Sequence, residues 1–378
     1  MPMADSGLRT RWDGRRVLIS GHSGFVGSWL AMTLRHLNAE VDGFALNDTR
    51  ATRDRHTWLT AHGVKGHLGD IRDFDAVHRV MSGAPYDAVF HLAAQPVVRV
   101  GWEDPHTTLT TNINGSVNIL EAARRCAPSV LVHVTSDKCY RNRAWPWPYR
   151  ETDEMGGGCP YSVSKAAAEL VFEGYAKLLD ASRPRVASVR FGNIIGGGDH
   201  TEHRLVPDTV AALSSGTPIR LRRATAVRPW QHVLDVVRGL LLLADALDDG
   251  TVAPGTALNF APPGDGATAG ELATTLAAHW TAAVGREGPT DEPVLLADGF
   301  DPGFVEEELL RLDGRLAAAA LDWHHRYGLD DAAAAIVDWH RSVLAGTPPQ
   351  EATAEQIARF FAHVPSSSPA DPTGGTRA

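Results

Sequence analysis

The sequence predicts an α/β fold in which a doubly wound parallel sheet is followed by a smaller C-terminal α+β domain. Three observations predict it: a short apolar strand runs directly into a glycine-rich turn, apolar strands then alternate with apolar-periodic helices, and two amphipathic helical patterns follow near the C-terminus. Alternating strands and helices are typical of parallel sheets, whose ligands lie at the carboxyl ends of the strands. We therefore expect residues that follow the strands to converge on one site.

The first strand, residues 16–20, runs into the phrase GHSGFVGSWL, in which three glycines have the spacing GxxGxxG before a helical pattern. Glycines there allow a tight turn, and the helix N-terminus offers N–H groups to a pyrophosphate. This pattern predicts a Rossmann-type turn that binds a dinucleotide. The residues predicted to contact it are Gly21, Gly24, Phe25, Val26 and Gly27.

The second strand, residues 40–46, follows at the distance of a strand–helix–strand unit and ends in Asn47 and Asp48. An acidic residue at this point meets the adenosine ribose and favours NAD over NADP, whose 2′-phosphate would prefer an arginine. NAD is therefore the predicted cofactor. Arg50 and Arg53 are close enough to serve a phosphate if the loop turns towards it, so NADP stays open as the alternative.

Polar and small residues follow the next strands. Asp70 and Ile71 come after a short strand and are predicted to flank the adenine. A helix over 74–81 leads to a strand over 88–92, after which small residues let the backbone approach the cofactor. The residues predicted to contact the cofactor there are Leu92, Ala93, Ala94 and Gln95.

A predicted helix over 105–125 carries Asn112, which completes the expected cofactor set. His91, inside the preceding strand, is interpreted as a packed strand histidine. The strand over 130–134 then brings the chain to the first of two sets of side chains that can move protons. This first set is Ser136, Asp137 and Lys138.

The second set is Tyr161 and Lys165, which lie four residues apart at the start of a helical pattern over 161–179 and so project from the same helix face. An ammonium beside a phenol favours the phenolate, and a nicotinamide cation nearby favours it further, which moves the pKa of Tyr161 towards neutrality. Tyr161 can then take a proton from a sugar hydroxyl while the carbon beneath it gives hydride to the cofactor.

The substrate side is predicted after residue 190. Arg204 and Arg228 are candidates for a pyrophosphate because a guanidinium fork matches its oxygens. His200 and His203 lie close together, but no further ligand is specified, so we expect no metal. The predicted substrate-binding residues are Gln95, Asn193, Arg204, Arg228 and His232.

Length, charge and cysteine content limit the function classes. The 378 residues exceed one average domain. A net charge of −9 and an isoelectric point near 6.0 argue against a nucleic-acid surface, which needs a basic footprint. The chain shows no apolar leader and no long apolar run, and its three cysteines have neither metal nor disulfide spacing. We therefore expect a cytoplasmic protein without a membrane partner.

The predicted domain organisation follows from these patterns. Residues 12–195, with a returning segment at about 226–262, form the NAD-binding domain, and residues 196–225 and 263–345 form the sugar-nucleotide-binding domain. Residues 1–11 and the Pro-, Ser- and Gly-rich stretch 364–378 are predicted to be disordered. A capping box from Thr268 to Glu271 opens a helix that ends at Ala283, and a second amphipathic helix covers 330–344.

Eight phrases together resemble the extended short-chain dehydrogenase/reductase family of nucleotide-sugar enzymes, and most closely its 4,6-dehydratases. They span roughly residues 12–235 and are GHSGFVGSWL, GDIRDF, FHLAAQPVVR, TSDKCY, YRETDEMGGGCPYSVSK, SVRFGNIIGGGD, RLVPD and RPWQHVLD. The resemblance implies a CDP-glucose-like substrate and a redox-neutral cycle. In that cycle NAD oxidises C4, water leaves across C5 and C6, and hydride returns to C6 to give a 4-keto-6-deoxy sugar nucleotide.

The resemblance also implies roles for single residues. Tyr161 is the base at the 4-hydroxyl, Lys165 lowers its pKa and holds the cofactor ribose, and Ser136 hydrogen-bonds the 4-oxygen. Asp137 protonates the departing 6-hydroxyl, and Lys138 helps to move the C5 proton, directly or through water. A carboxylic acid in a dry pocket can deliver its proton, whereas an adjacent ammonium favours the ionised Asp137, so the separate roles of these two residues stay open.

The resemblance further implies a homodimer that pairs the helices predicted at 105–125 and 161–179. Two alternatives to the dehydratase are kept. A nucleotide-sugar epimerase also oxidises C4 transiently but needs no acid at C6, and a catalytically silent dinucleotide sensor would need neither set of side chains.

Overall fold

The structure is a computed structural model that describes residues 6–179, 183–284, 296–297 and 307–362. Its strands are β1 (Arg16–Ser20), β2 (Glu40–Ala45), β3 (Val64–Leu68), β4 (Ala88–His91), β5 (Val130–Val134), β6 (Arg185–Phe191), β7 (Ile194–Ile195), β8 (Arg220–Leu221), β9 (Val227–Arg228), β10 (Gln231–His232), β11 (Ala257–Phe260), β12 (Ala267–Thr268) and β13 (Leu296–Ala297). Its helices are α1 (Ser6–Trp12), α2 (Phe25–His36), α3 (Arg50–Ala61), α4 (Phe74–Met81), α5 (Val98–Glu103), α6 (Pro105–Leu109), α7 (Gly115–Cys126), α8 (Pro160–Leu179), α9 (Leu205–Ser215), α10 (Val233–Asp248), α11 (Ala269–Val284), α12 (Arg315–Leu321), α13 (Leu329–Leu344) and α14 (Pro349–Ala362). A π-helical turn (Thr110–Asn114) separates α6 from α7, and a 3₁₀ turn (Asp137–Cys139) follows β5.

Seven strands form one parallel sheet in the order β11-β6-β5-β4-β1-β2-β3. The strand order reverses between β1 and β4, and the ligand crevice of such a sheet lies outside the carboxyl ends of the strands at that point. The predicted doubly wound parallel sheet is therefore confirmed.

The central strands bury their side chains in two separate apolar layers, because successive side chains of a strand point to opposite faces. Val17 and Ile19 of β1 belong to the layer that contains α2 and α10, whereas Leu18 faces the layer that contains α4 and α7. Every residue of α10 from Val233 to Leu247 is buried. None of the helices in the described part of the chain is nevertheless long and apolar enough to cross a membrane.

A second group of helices, α9, α11 and α13, packs around its own apolar cluster. The predicted capping box of α11 is confirmed, since Thr268 N donates to Glu271 Oε2 (2.6 Å) and Glu271 N donates to Thr268 Oγ1 (3.0 Å). Helix α13 confirms the second predicted amphipathic helix. Helix α14 was not predicted; it packs against both α13 and α2 and so links this group to the large sheet.

The N-terminal prediction is wrong for the part of residues 1–11 that the structure describes. Residues from Ser6 onwards form α1, in which Leu8 and Trp12 are buried. The Trp12 ring lies 6.0 Å from the Phe90 ring of β4. A helix this short is not stable alone and depends on such packing, so its own sequence carried little signal. The predicted disordered tail, residues 364–378, lies outside the described residues.

Candidate active site

The two predicted sets of proton-moving side chains lie together on one cleft of about 600 Å³. The cleft opens at the carboxyl ends of β4, β5 and β6 and is closed on its other side by residues near α9 and β9. Five predicted catalytic residues line it, namely Ser136, Asp137, Lys138, Tyr161 and Lys165. Six residues predicted to bind cofactor or substrate also line it, namely Val26, Leu92, Ala94, Asn193, Arg204 and Arg228.

The first set is held by the 3₁₀ turn after β5. Ser136 is its N-cap, and Ser136 Oγ accepts a hydrogen bond from Lys138 N (3.2 Å) while donating one to Asp137 Oδ1 (2.9 Å). Asp137 is 2% exposed, and its Oδ2 has no hydrogen-bond partner among the described residues. Burial raises the pKa of Asp137 and outweighs the opposing effects of Lys138 and Ser136. The carboxyl group of Asp137 is thus suited to carry a proton into the cleft.

Lys138 pairs with a residue from a distant part of the chain. Its Nζ donates a hydrogen bond to Oε2 of Glu307, which also lines the cleft. Burial raises the pKa of Glu307, but the Lys138 charge and hydrogen bonds from Lys138 and Asn142 outweigh burial and lower it overall. The two residues are 169 positions apart and belong to no shared motif, so no local pattern connects them.

Tyr161 and Lys165 lie in the first turns of α8, and both are 6% exposed. Burial raises the pKa of Tyr161 to about 12, although a hydrogen bond with Ser136 and the charge of Arg204 act in the opposite direction. Burial also lowers the pKa of Lys165 to about 8. The predicted fall in the pKa of Tyr161 is therefore not produced by the chain alone, because burial outweighs the neighbouring positive charges.

A buried network that was also missed lies one helical turn beyond Lys165. Glu169 Oε2 accepts from Arg190 Nη2 (2.8 Å), and Glu169 Oε1 accepts from the hydroxyls of Ser188 (2.6 Å) and Thr135. The Glu169 carboxylate raises the pKa of Lys165 against the effect of burial. It therefore helps to keep Lys165 protonated at the floor of the cleft.

The glycine-rich turn has the geometry that a pyrophosphate requires. Gly21 has φ +80°, and a Cβ there would lie 2.8 Å from the backbone N of Ala93; a Cβ on Gly27 would lie 2.1 Å from Gly21 O. Gly24 caps α2 in extended conformation without a side-chain hydrogen bond. The first N–H groups of α2 are thus available to an anion, as at other helix N-termini that bind phosphate. The predicted turn residues consequently fit the pyrophosphate of NAD.

Replacement of Gly27 with Ala is expected to lower NAD affinity by at least about tenfold, or ~1.4 kcal/mol. The new methyl group would overlap Gly21 O and push apart the turn that cradles the pyrophosphate. Isothermal titration calorimetry of NAD binding measures the effect. Gly7→Ala is the control, because a Cβ at Gly7 would lie within 4 Å of no atom beyond its chain neighbours and its own helix backbone. Equal NAD affinity in both variants would contradict the assignment of this turn.

At the adenosine end, Asn47 is half-buried, its Oδ1 has no partner among the described residues, and Asp48 is exposed. Arg53 Nη1 donates to Asp48 O (3.2 Å), and Arg50 lies 3.7 Å from Asp54. Arg53 is therefore held by the turn before α3, whereas the Arg50 side chain stays 91% exposed in a surface ion pair.

Asp70 and Ile71 follow β3, as predicted. The Asp70 carboxylate accepts hydrogen bonds from Arg72 N (2.8 Å) and Arg72 Nε (2.8 Å), and Ile71 is buried against Gly115 of α7. The Asp70 carboxylate therefore holds the turn after β3 through Arg72.

The predicted helix over 105–125 is divided by the π-helical turn, which places the buried Asn112 under the loop after β4. Asn112 Oδ1 accepts from Gln95 N (2.8 Å), and Asn112 Nδ2 donates to Gln95 O (3.1 Å) and Ser164 Oγ (2.8 Å). The Gln95 side chain is held by hydrogen bonds within its own loop. Neither residue is among those that line the cleft, and both side chains position the loop after β4. Direct contact of Gln95 and Asn112 with a ligand stays a prediction.

The predicted substrate contact of His232 stays a prediction: the residue is 1% exposed and is not among those that line the cleft. Its Nδ1 accepts from Leu234 N (3.3 Å) and caps α10, and its ring packs against Trp29 and Tyr327. Aromatic neighbours from distant elements thus pack around this side chain.

The two predicted arginines take different positions on the cleft. Arg204 lies 3.3 Å from the buried Asp199, and its side chain stays 34% exposed. The buried Arg228 donates hydrogen bonds to the backbone carbonyls of Val227 (2.7 Å) and Glu307. Arg204 is therefore the more accessible of the two to a ligand, whereas Arg228 also holds the chain at Glu307.

Comparison with known proteins identifies the family of the chain. The chain matches the model of the NAD dependent epimerase/dehydratase family over residues 17–259. It is 35% identical over 343 residues to CDP-glucose 4,6-dehydratase of Salmonella typhimurium, covering 89% of this chain and 93% of that protein.

Two solved structures have a similar fold. One is DesIV, a dTDP-glucose 4,6-dehydratase of Streptomyces venezuelae with NAD and TYD bound (TM-score 0.73, 24% identity, 89% of this chain and 99% of that chain). The other is a UDP-glucose 4-epimerase of Thermus thermophilus in complex with NAD (TM-score 0.71, 26% identity, 88% and 100%). With its parallel sheet, glycine-rich turn and Tyr161–Lys165 pair, the chain belongs to the NAD dependent epimerase/dehydratase family.

Proposed function

We propose that the chain is an NAD-dependent nucleotide-sugar 4,6-dehydratase, a hydro-lyase that forms a 4-keto-6-deoxy sugar nucleotide. The observation that carries the proposal is the buried Asp137 carboxyl, whose pKa is raised and whose Oδ2 has no partner among the described residues. An acid in the same cleft as the Tyr161–Lys165 pair supplies what a second, dehydrating step needs. The similarity to the Salmonella enzyme supports CDP-glucose as the substrate.

Each side chain has a defined task in this reaction. When bound, NAD accepts hydride from C4 of the sugar and later returns it to C6. Tyr161 takes the proton of the 4-hydroxyl, and Ser136, which shares a hydrogen bond with Tyr161, orients the 4-oxygen. The Glu169 carboxylate helps to keep Lys165 protonated, and the charge of Lys165 favours the phenolate form of Tyr161. Asp137 then protonates the 6-hydroxyl, which leaves as water.

Binding of the sugar nucleotide is assigned to the side of the cleft near α9. Arg204 is accessible there and carries a guanidinium that matches pyrophosphate oxygens. Asn193 follows β6 and lines the same cleft, so its amide can bind the sugar or the diphosphate.

A nucleotide-sugar epimerase is the second candidate, because the chain also resembles UDP-glucose 4-epimerases. An epimerase oxidises C4 and returns hydride to the same carbon, so it has no use for an acid at C6. The buried Asp137 beside Ser136 therefore favours dehydration.

Mass spectrometry of the purified protein, incubated with NAD and a panel of CDP-, dTDP-, UDP-, GDP- and ADP-sugars, tests the function. Loss of one water from a single sugar nucleotide is expected, and it identifies the substrate at the same time. An unchanged mass with a new chromatographic peak would establish epimerisation instead. No change in any member of the panel would contradict both candidates.

A homodimer is also part of the proposal. Leu170 and Leu178 of α8 are 60% and 66% exposed, and they lie on one face with Val117 of α7 beside a surface hollow. Large apolar side chains on adjacent helices are typical of an interface between subunits.

Leu170→Asp is expected to shift the protein from dimer to monomer in light scattering, with a roughly thirtyfold or greater rise in the dissociation constant, or ~2 kcal/mol. A buried carboxylate in an apolar interface is costly. Leu344→Asp is the matched control, because Leu344 is 63% exposed on a different helix. A monomeric wild-type protein, or a dimer that tolerates Leu170→Asp, would contradict this interface.

The domain division is also proposed. Within the returning segment, β11 pairs with β6 in the large sheet, which supports assigning residues 12–195 and about 226–262 to the NAD-binding part. Residues 196–225 and 263–345 contain α9, α11 and α13 and are assigned to the sugar-nucleotide part.

The three cysteines are free thiols, which supports a reducing, cytoplasmic environment.

A further inference from the structure

We propose that Glu307 is a positioning residue for the elimination step, and that it accepts, through Lys138, the proton that leaves C5 of the sugar. The inference rests on the proposed dehydratase function. It also accounts for how Asp137 can remain a proton donor beside a lysine.

Glu307 is placed at the cleft by long-range contacts. The Arg228 guanidinium donates to Glu307 O, and the flanking chain pairs with β9, where Val227 N donates to Glu308 O (2.9 Å). Asn142 Nδ2 donates to Leu309 O (3.0 Å) on the other side. The backbone around Glu307 is thus fixed at several points, and its side chain is brought to Lys138 Nζ.

The Lys138–Glu307 ion pair affects the protonation of Asp137. An unpaired Lys138 ammonium beside Asp137 would favour the ionised carboxylate, which cannot protonate a leaving group. The Glu307 carboxylate neutralises Lys138, and its own charge raises the pKa of Asp137. Both side chains of the pair are mostly shielded, with 17% and 26% exposed, so the interaction is not screened as a surface ion pair would be.

The proton balance of the step is complete. The C5–H bond breaks and its proton goes to Lys138 Nζ as another Lys138 proton passes to Glu307 Oε2, so Lys138 stays an ammonium and Glu307 becomes neutral. The electron pair forms the C5–C6 double bond, and the C6–O bond breaks as Asp137 protonates the oxygen. When hydride returns to C6, Glu307 returns its proton to C5 by the reverse path. After release of the product, Tyr161 gives the proton it took from the 4-hydroxyl to solvent, and Asp137 regains from solvent the proton it gave to the leaving water.

The test compares Glu307→Gln with wild type and with Glu308→Gln, a neighbouring control whose carboxylate is 71% exposed and faces Arg223. The NAD-loaded proteins are mixed with the sugar nucleotide that wild type dehydrates, and the near-ultraviolet band of reduced nicotinamide is followed. We expect Glu307→Gln to keep the C4 oxidation rate within about twofold and to slow elimination by roughly 10²–10⁴-fold, so reduced cofactor accumulates. Glu307→Asp should restore part of the rate, and Glu308→Gln should behave as wild type.

Deuterium exchange separates this role from a structural one. In D₂O, substrate recovered from Asp137→Asn should carry deuterium at C5, because that variant still removes the C5 proton. Substrate recovered from Glu307→Gln should carry none. The inference would be overturned if Glu307→Gln eliminated water at the wild-type rate and exchanged its C5 proton. It would also be overturned if Glu307→Gln lost oxidation and elimination equally. Either result would leave the proposed dehydratase function standing. Absence of water loss with wild-type protein on every sugar nucleotide would overturn the proposed function and this inference together.

Discussion

Tyr161→Phe is expected to abolish C4 oxidation, with a fall of roughly a thousandfold or more in the rate at which reduced nicotinamide appears. The substitution removes the hydroxyl that takes the substrate proton and leaves a ring of nearly the same volume in the buried site. Stopped-flow absorbance after mixing NAD-loaded protein with substrate measures the step. Because the phenolate is the active form, the wild-type rate should rise with pH up to the pKa of Tyr161 in the complex.

A matched control for this variant is Tyr327→Phe, since Tyr327 packs against Phe360 away from the cleft. It should leave the oxidation rate unchanged. NAD affinity should be close to wild type in both variants, because Phe retains the ring packing. Rapid formation of reduced cofactor by Tyr161→Phe would show that another group is the base.

Asp137→Asn should separate the two halves of the reaction. Oxidation at C4 is expected to proceed at nearly the wild-type rate, whereas loss of water should slow by roughly 10²–10⁴-fold, because an amide cannot act as the acid at C6. Reduced cofactor should therefore accumulate and persist. In wild type, elimination should slow as the pH rises above the pKa of Asp137, which burial raises, because the protonated form is the active one.

The measurement combines the reduced-nicotinamide band with mass spectrometry of the product. Asp338→Asn, at a surface ion pair with Arg359, is the control and should match wild type in both signals. Equal loss of oxidation and dehydration in Asp137→Asn would contradict the acid role of this residue.

Several parts of the site could be predicted because they depend on neighbours along the chain. The glycine spacing at Gly21 and Gly27 reflects a turn that only small residues allow, and the structure gives a Cβ at either position no room. Tyr161 and Lys165 share a helix face because they are four residues apart. The strand before Ser136 ends at the sheet edge where parallel strands place their ligands.

Contacts between distant segments could not be predicted in this way. Glu307 meets Lys138 across 169 positions, and the Glu169–Arg190 pair joins α8 to β6. The motif around His232 predicts substrate contact and gives no sign of the packing of its ring against Trp29 of α2. Each of these depends on which elements become neighbours after folding.

The sequence by itself determined the parallel sheet, because strand–helix alternation specifies it. Local spacing predicted the dinucleotide turn and the Tyr161–Lys165 pair, and the resemblance implied the acid role of Asp137. Tertiary structure alone decided how those groups titrate. Burial raises the pKa of Tyr161 where the sequence predicted a fall, and it raises the pKa of Asp137 while Glu307 offsets the charge of Lys138. Desolvation and long-range charge pairing are properties of the folded interior, and no stretch of chain carries them alone.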